Sequence, residues 1–188
     1  TVNMGKPISL SNMSMGAWNK VFSRASILSS TKNSIIAGLA AAFFGIMISC
    51  IMAYLLQRTN VKGKRIPDFL ITLGSGTPSV TIALALIISM SGKFGINIYN
   101  TLTIMVVAYM IKYMLMGMRT VVSAMSQVHP SLEEAAQISG ANWLRMLKDV
   151  TLPLIGASIV AGIFLIFMPS FYELTMSTLL YSSNTKTI

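Results

Sequence analysis

SIIAGLAAAFFGIMISCIMAYLL, residues 34–56, carries no charged side chain. The hydrocarbon of a bilayer is about 30 Å thick, so about 20 apolar residues in a helix cross it. This run is long enough to span, and its length excludes a β-strand. Working outward, three further stretches meet the same criterion, at 66–90, 101–118 and 152–171. The second is interrupted by Gly74-Ser75-Gly76-Thr77-Pro78. No alternating barrel pattern is present. The chain is therefore expected to be all-α, a polytopic bundle of transmembrane helices.

Composition agrees. The 188 residues are 54% hydrophobic and only 10% charged, with a mean hydropathy of +0.70. Soluble domains carry about 25% charged residues. The net charge of +9 arises from 14 Lys and Arg against 5 Asp and Glu. The basic residues fall mostly between apolar runs, as in membrane loops, and not in the patch that nucleic-acid binding requires. One cysteine, Cys50, and one histidine, His129, exclude disulfide frameworks and His/Cys metal clusters, and no cofactor is implied. The fifteen methionines are scattered along the spans and read as apolar filler. The chain opens at Thr1 without a start methionine or a cleavable signal, and so is read as beginning part-way through a longer polypeptide.

The connectors set an expected orientation. Residues 57–68 hold Arg58, Lys62, Lys64 and Arg65, whereas 91–100 hold only Lys93. Basic residues in short loops favour the cytoplasm. The first connector and the long link 119–151, with Arg119, Arg145 and Lys148, are therefore assigned inside, and the second outside. The N-terminal segment then lies outside despite Lys6, Lys20, Arg24 and Lys32. Within it, residues 14–28 put Trp18, Val21, Phe22, Ala25 and Leu28 on one helical face, suited to the membrane interface or to packing. The expected division is an interfacial segment at 1–32 and a core domain at 33–188.

The link from Pro130 to Pro153 has a structure of its own. Ser131 followed by Glu134 reads as a capping box at a helix start. Leu132 to Gln137 are mostly good helix formers, and Gly140 supplies the left-handed stop. A second short helix is expected over Asn142–Val150, with Trp143, Met146, Leu147 and Val150 on one side. Pro153 suits the first turn of the following span. The product is a helix–turn–helix elbow at the cytoplasmic face.

At these residues the sequence resembles the permeases of binding-protein-dependent ABC importers. Glu134-Ala135-Ala136, then Gly140, then Val150, Leu152 and Pro153 reproduce the family's Glu-Ala-Ala signature with every spacing intact. Asn33-Ser34 and Ala53-Tyr54 add to the likeness, which covers roughly residues 30–188. The resemblance implies a type I importer permease in the bacterial inner membrane, pairing with an equivalent half, fused or separate. It also implies a cytoplasmic ATPase dimer whose cleft receives the elbow, and an extracytoplasmic binding protein that delivers cargo. The family core usually has at least one more span, so the chain is read as a partial permease half. No GxxxxGK[ST] phosphate loop is present, and ATP hydrolysis is expected in a separate subunit.

The stretch Glu173-Leu174-Thr175-Met176-Ser177-Thr178-Leu179-Leu180-Tyr181 looks like a segment of ferric-iron permeases, which implies ferric iron as cargo. Phosphonate, polyamine, thiamine and sulfate permeases share the architecture and stand as alternatives. A secondary transporter is disfavoured by the poverty of intramembrane ionisable residues. Ser75, Thr77 and Pro78, in a weak spot of the second span, and Glu173, near the outer end of the fourth, are candidates for the substrate path. Proline-kinked packing and a structural hydrogen bond are their bland alternatives. Lys112 is expected to snorkel to the inner interface.

Overall fold

The computed structural model describes residues 15–92 and 95–182 together with Thr185 and Thr187. Helix α1 is Gly16–Ser23, α2 Ala25–Arg58, α3 Arg65–Gly76, α4 Ser79–Met90 and α5 Leu102–Gln127. Helix α6 is Pro130–Ile138, α7 Trp143–Met146, α8 Leu152–Phe171 and α9 Thr175–Leu180, with a π-helical turn at Leu147–Thr151 joining α7 to α8. Among the described residues there is no β-strand, only an isolated bridge between Ser91 and Asn97.

Helices α2, α5 and α8 form the bundle. On α2 most of the buried residues are small: Ser34, Ala37, Gly38, Ala41, Ala42, Gly45, Ser49 and Ala53 recur at helical spacing, with Ile46 and Met52 the large ones among them. Its large residues Ile35, Leu39, Phe43, Phe44, Met47 and Ile51 are exposed. This inverts the soluble pattern. Lipid is as apolar as leucine, so helices gain by close backbone approach and not by hiding large side chains. The three helices meet where Gly117 of α5 faces Gly162 of α8. A Cβ on Gly162 would lie 2.6 Å from Ile46 Cδ1, and one on Gly117 2.6 Å from Ile166 Cδ1.

Three helical segments are long and apolar enough to cross a membrane, Ala25–Arg58, Leu102–Gln127 and Trp143–Phe171. At about 1.5 Å per residue the first is about 51 Å long, so it projects beyond the hydrocarbon. It starts upstream of residue 34, and the boundary expected at 32/33 falls inside it. The amphipathic helix expected over 14–28 is instead split at Arg24, whose backbone is extended, and Ala25 and Leu28 belong to α2. The side chains of Trp18 and Val21 lie outside the described residues.

Two other expectations are corrected, and the expected interruption of the second span takes a definite form. The third span continues past 118 to Gln127, because Arg119 sits on an exposed face where it reaches Asp68 Oδ1 at 2.9 Å, while Val121 and Met125 stay buried. Residues 119–127 of the link expected over 119–151 are thus part of the span helix. The second span is two helices bent by 112° at Thr77-Pro78. Pro78 lacks the amide hydrogen that would continue the ladder and holds its predecessor extended, with Thr77 at φ −72° and ψ 138°. Finally, the helix expected over 142–150 does not end before Pro153; residues 143–171 run on as one helical segment. The π turn explains how. A proline at 153 removes one donor and its ring crowds the carbonyl four residues back, and the wider π turn gives room for both.

Candidate functional site

The elbow is built from α6, the turn after it and α7. Pro130 takes the first helical position, where a missing N–H costs nothing. That choice moves the cap two residues earlier than the capping box expected at Ser131 and Glu134. His129 is the N-cap, its Nδ1 accepting from Ser131 N at 3.2 Å, and Glu134 points outward. The other end closes as a Schellman motif. Ala141 N donates to Ala136 O at 3.0 Å and Gly140 N to Gln137 O at 2.9 Å. Gly140 has φ +87°, and nothing lies within 4 Å of where its Cβ would be. Its requirement is purely conformational. Asn142 then caps α7, its side-chain oxygen accepting from Arg145 N at 2.8 Å.

Two hydrogen bonds make a turn that is short and fixed. Its outer surface carries exposed apolar side chains, Leu132, Ile138 and Leu144, with Ile138 88% exposed, set among exposed polar ones such as Gln137 and Arg145. Of the motif residues, Glu134, Ala135 and Gly140 are also exposed, and Ala136 is half-buried. Val150 is half-buried in the π turn, and Leu152 and Pro153 are exposed at the start of α8. The structure therefore brings Glu134, Ala135 and Gly140 to one knob and leaves Val150, Leu152 and Pro153 on the helix that carries it.

Sequence reasoning missed how the knob is attached. Glu133, not Glu134, turns inward. Its Oε1 accepts from Arg58 Nε at 3.0 Å and from Thr151 Oγ1 at 3.1 Å. Arg58 Nη2 also donates to Val128 O at 2.6 Å and Met125 O at 3.3 Å. The side chains of Arg58 and Glu133 are only 9% and 8% exposed. One guanidinium thus ties together the inner ends of α2 and α5, the knob and the π turn. A second link is Trp143 Nε1 donating to Tyr54 OH at 2.8 Å. A legible signal existed: a lone arginine ending an apolar span, and a second glutamate beside the motif's own.

The substrate-path candidates fall in two places, both held by one turn of α5. Ser75, Thr77 and Pro78 form the α3–α4 break. Lys112 does not snorkel; its ammonium donates to Ser75 O at 3.0 Å and Thr77 O at 2.7 Å. The break frees these carbonyls from helical partners, and the lysine satisfies them where water is scarce. Gly74 permits the approach, since a Cβ there would meet Ile111 O at 3.1 Å. Glu173 sits in the turn between α8 and α9. Its Oε1 accepts from Met176 N at 3.1 Å, and its Oε2 accepts from the hydroxyl of Tyr113, the neighbour of Lys112. Tyr109 OH and Ser177 Oγ share a hydrogen bond of 2.7 Å one turn away. Tyr109 and Tyr113 were not singled out in the sequence, although polar residues four apart in an apolar span are the signature. Among the described residues no group of three or more His, Cys, Asp or Glu is placed to hold a metal ion.

Residues 45–185 match the family described as binding-protein-dependent transport system inner membrane component. The chain belongs to this family. The sulfate transport system permease protein CysT of Salmonella typhimurium is 28% identical to it over 173 residues, which cover 87% of this chain and 62% of that protein. The Fe(3+)-transport system permease protein FbpB 2 of Haemophilus influenzae is 30% identical over 111 residues, covering 59% of this chain and 22% of that one. The chain therefore spans less than two thirds of either relative. Among solved structures, a bacterial alginate ABC transporter in complex with an alginate pentasaccharide-bound periplasmic protein superposes with a TM-score of 0.73 at 17% identity. The match covers 94% of this chain and 68% of that one, and it places the fold among ABC importer permeases.

Proposed function

We propose that this chain is the membrane-spanning permease subunit of an ATP-driven importer in the bacterial inner membrane. The observation that carries the reading is the elbow. A fixed turn presents exposed Leu132, Ile138 and Leu144 at the end of the bundle where Arg58 and Lys64 lie, as a docking knob requires. The knob inserts into the cleft of a cytoplasmic ATPase dimer that hydrolyses the nucleotide. Closure of that dimer rocks the helices between inward- and outward-open states, a two-state element biased by ATP. An equivalent permease half, fused or separate, completes the pathway, and an extracytoplasmic binding protein supplies the cargo.

Ferric iron is the cargo we assign first. Support comes from the ferric relative and from the likeness of residues 173–181 to a segment of ferric-iron permeases. A second reading is an oxyanion such as sulfate. It is favoured by Lys112, a cation standing at the α3–α4 break, and by the likeness to the sulfate permease.

The test is uptake of labelled ferric iron and of labelled sulfate by cells with and without the intact parent permease, energised and ATP-depleted. ATP-dependent uptake of iron that is lost with the permease supports the first cargo, and the same result with sulfate the second. Loss of neither, in strains lacking other importers for both, removes these cargoes. Failure of Gly140→Val to reduce ATPase association would remove the elbow's role itself.

A further inference from the structure

An elbow that receives force must pass it on, and packing alone does not secure this one to α2. Directly beneath the Trp143–Tyr54 contact, α2 and α8 stand apart around an apolar groove of about 210 Å³ lined by Cys50, Tyr54, Met125, Trp143, Thr151 and Ile155. Next to the groove lies the buried junction of Arg58, Glu133 and Thr151. We propose that this junction is the transmission joint of the permease, with Arg58, Glu133 and Thr151 as positioning residues that make the α2 and α8 ends follow the knob.

The physical case rests on direction and number. Arg58 gives Nε to Glu133 on α6 and Nη2 to the last carbonyls of α5, so its planar fork fixes orientation as well as distance. A lysine, a point charge, would not. Thr151 supplies the fourth connection, from the π turn. Such turns break the regular ladder and recur at hinges and functional sites. Low exposure keeps the ion pair largely unscreened. Apolar contacts tolerate sliding, whereas a buried charged junction has one low-energy arrangement. A displacement of α6 is thus carried to α2 and to the start of α8 together.

This inference rests on the permease reading. Its test uses the intact permease with its ATPase and takes Cys50, the sole cysteine of this sequence, as reporter, because it lines the groove whose walls the joint moves. N-ethylmaleimide labelling of Cys50 is compared without nucleotide and with ATP and vanadate. In the native complex the nucleotide changes the labelling rate. In the paired variant Arg58→Gln/Glu133→Gln, which keeps hydrogen-bonding groups at both positions, the ATPase still co-purifies and hydrolyses ATP. The nucleotide-dependent change in labelling falls about tenfold. Thr151→Val, a milder change that keeps the shape, loses part of the response, and Thr151→Ser retains it. A full response in the paired variant and in Thr151→Val would overturn the proposal, as would a native complex in which nucleotide leaves Cys50 labelling unchanged. Should the paired variant not fold, Thr151→Val against Thr151→Ser decides alone. Absence of any co-purifying ATPase from the native chain would instead overturn the permease reading beneath it.

Discussion

Replacing Gly162 by alanine tests the packing argument most directly. The new methyl would lie 2.6 Å from Ile46 Cδ1 and 3.4 Å from Gly117 Cα. Carbon atoms in contact are most stable at about 3.5–4.0 Å, so the first approach is about 1 Å too close. Overpacking of this kind costs about 1–3 kcal/mol. Ile46 Cδ1 is the tip of a side chain that can turn, but Ile46 is only 4% exposed and its neighbours are close. A destabilisation of about 2 kcal/mol is expected. Ile46→Val removes the clashing atom and by itself costs about 1 kcal/mol through the gap it leaves. In the double variant the alanine methyl fills that gap, so it should fall within about 1 kcal/mol of the native protein, against an additive sum of about 3 kcal/mol. The coupling of about 2 kcal/mol is the quantity to measure, by thermal or denaturant unfolding of the intact protein in detergent micelles. Gly156→Ala in the same helix is the control, because nothing lies within 4 Å of its Cβ position. It should be neutral or stabilising by up to about 1 kcal/mol. Native-like stability of Gly162→Ala, or strict additivity in the double variant, would refute the proposal that α2, α5 and α8 are spaced by their glycines.

Gly140→Ala should cost about 1–2 kcal/mol through its φ of +87° alone, with no steric component, and so should weaken ATPase co-purification without unfolding the bundle. Lys112→Met leaves Ser75 O and Thr77 O without their donor, at about 1–3 kcal/mol for a buried acceptor. Faster hydrogen exchange confined to the residues around the α3–α4 break is the expected readout. Tyr113→Phe removes the hydroxyl that donates to Glu173 and should loosen the turn before α9, at about 1–2 kcal/mol, seen as proteolytic or exchange sensitivity of residues 172–180. Trp143→Phe deletes the donor to Tyr54 OH but keeps an aromatic ring in the edge-to-face contact, and so should change stability by less than about 1.5 kcal/mol in the same unfolding assay.

The span limits show where one-dimensional reading fails. A cut at Arg119 ended the third span at 118, because sequence alone does not tell an arginine at a helix end from one paired across to α3. The cut also hid that Met125 and Val128 are core residues and made the elbow's connector too long. The start of α6 was misread for a local reason: Pro130 as first helical residue and Ser131 as cap signal helix starts two residues apart, and proline prevails because its fixed φ suits the first turn. Gly140, by contrast, was legible because a left-handed stop depends on its own backbone and not on neighbours.

What the sequence determined by itself was whatever depends on composition and local spacing. Length and hydropathy set the helical membrane class, Pro78 broke the second span, and Gly140 with Asn142 shaped the turn that carries the Glu-Ala-Ala signature. Only the tertiary structure decided which polar side chains find each other. Arg58 meets Glu133 across 75 residues of chain, Tyr113 meets Glu173 across 60, and Lys112 meets Thr77 across 35. Each of these groups enters a region poor in water and must find a partner there. Which partner it finds is set by how α2, α5 and α8 cross at their small residues, a geometry that no local pattern in the sequence encodes.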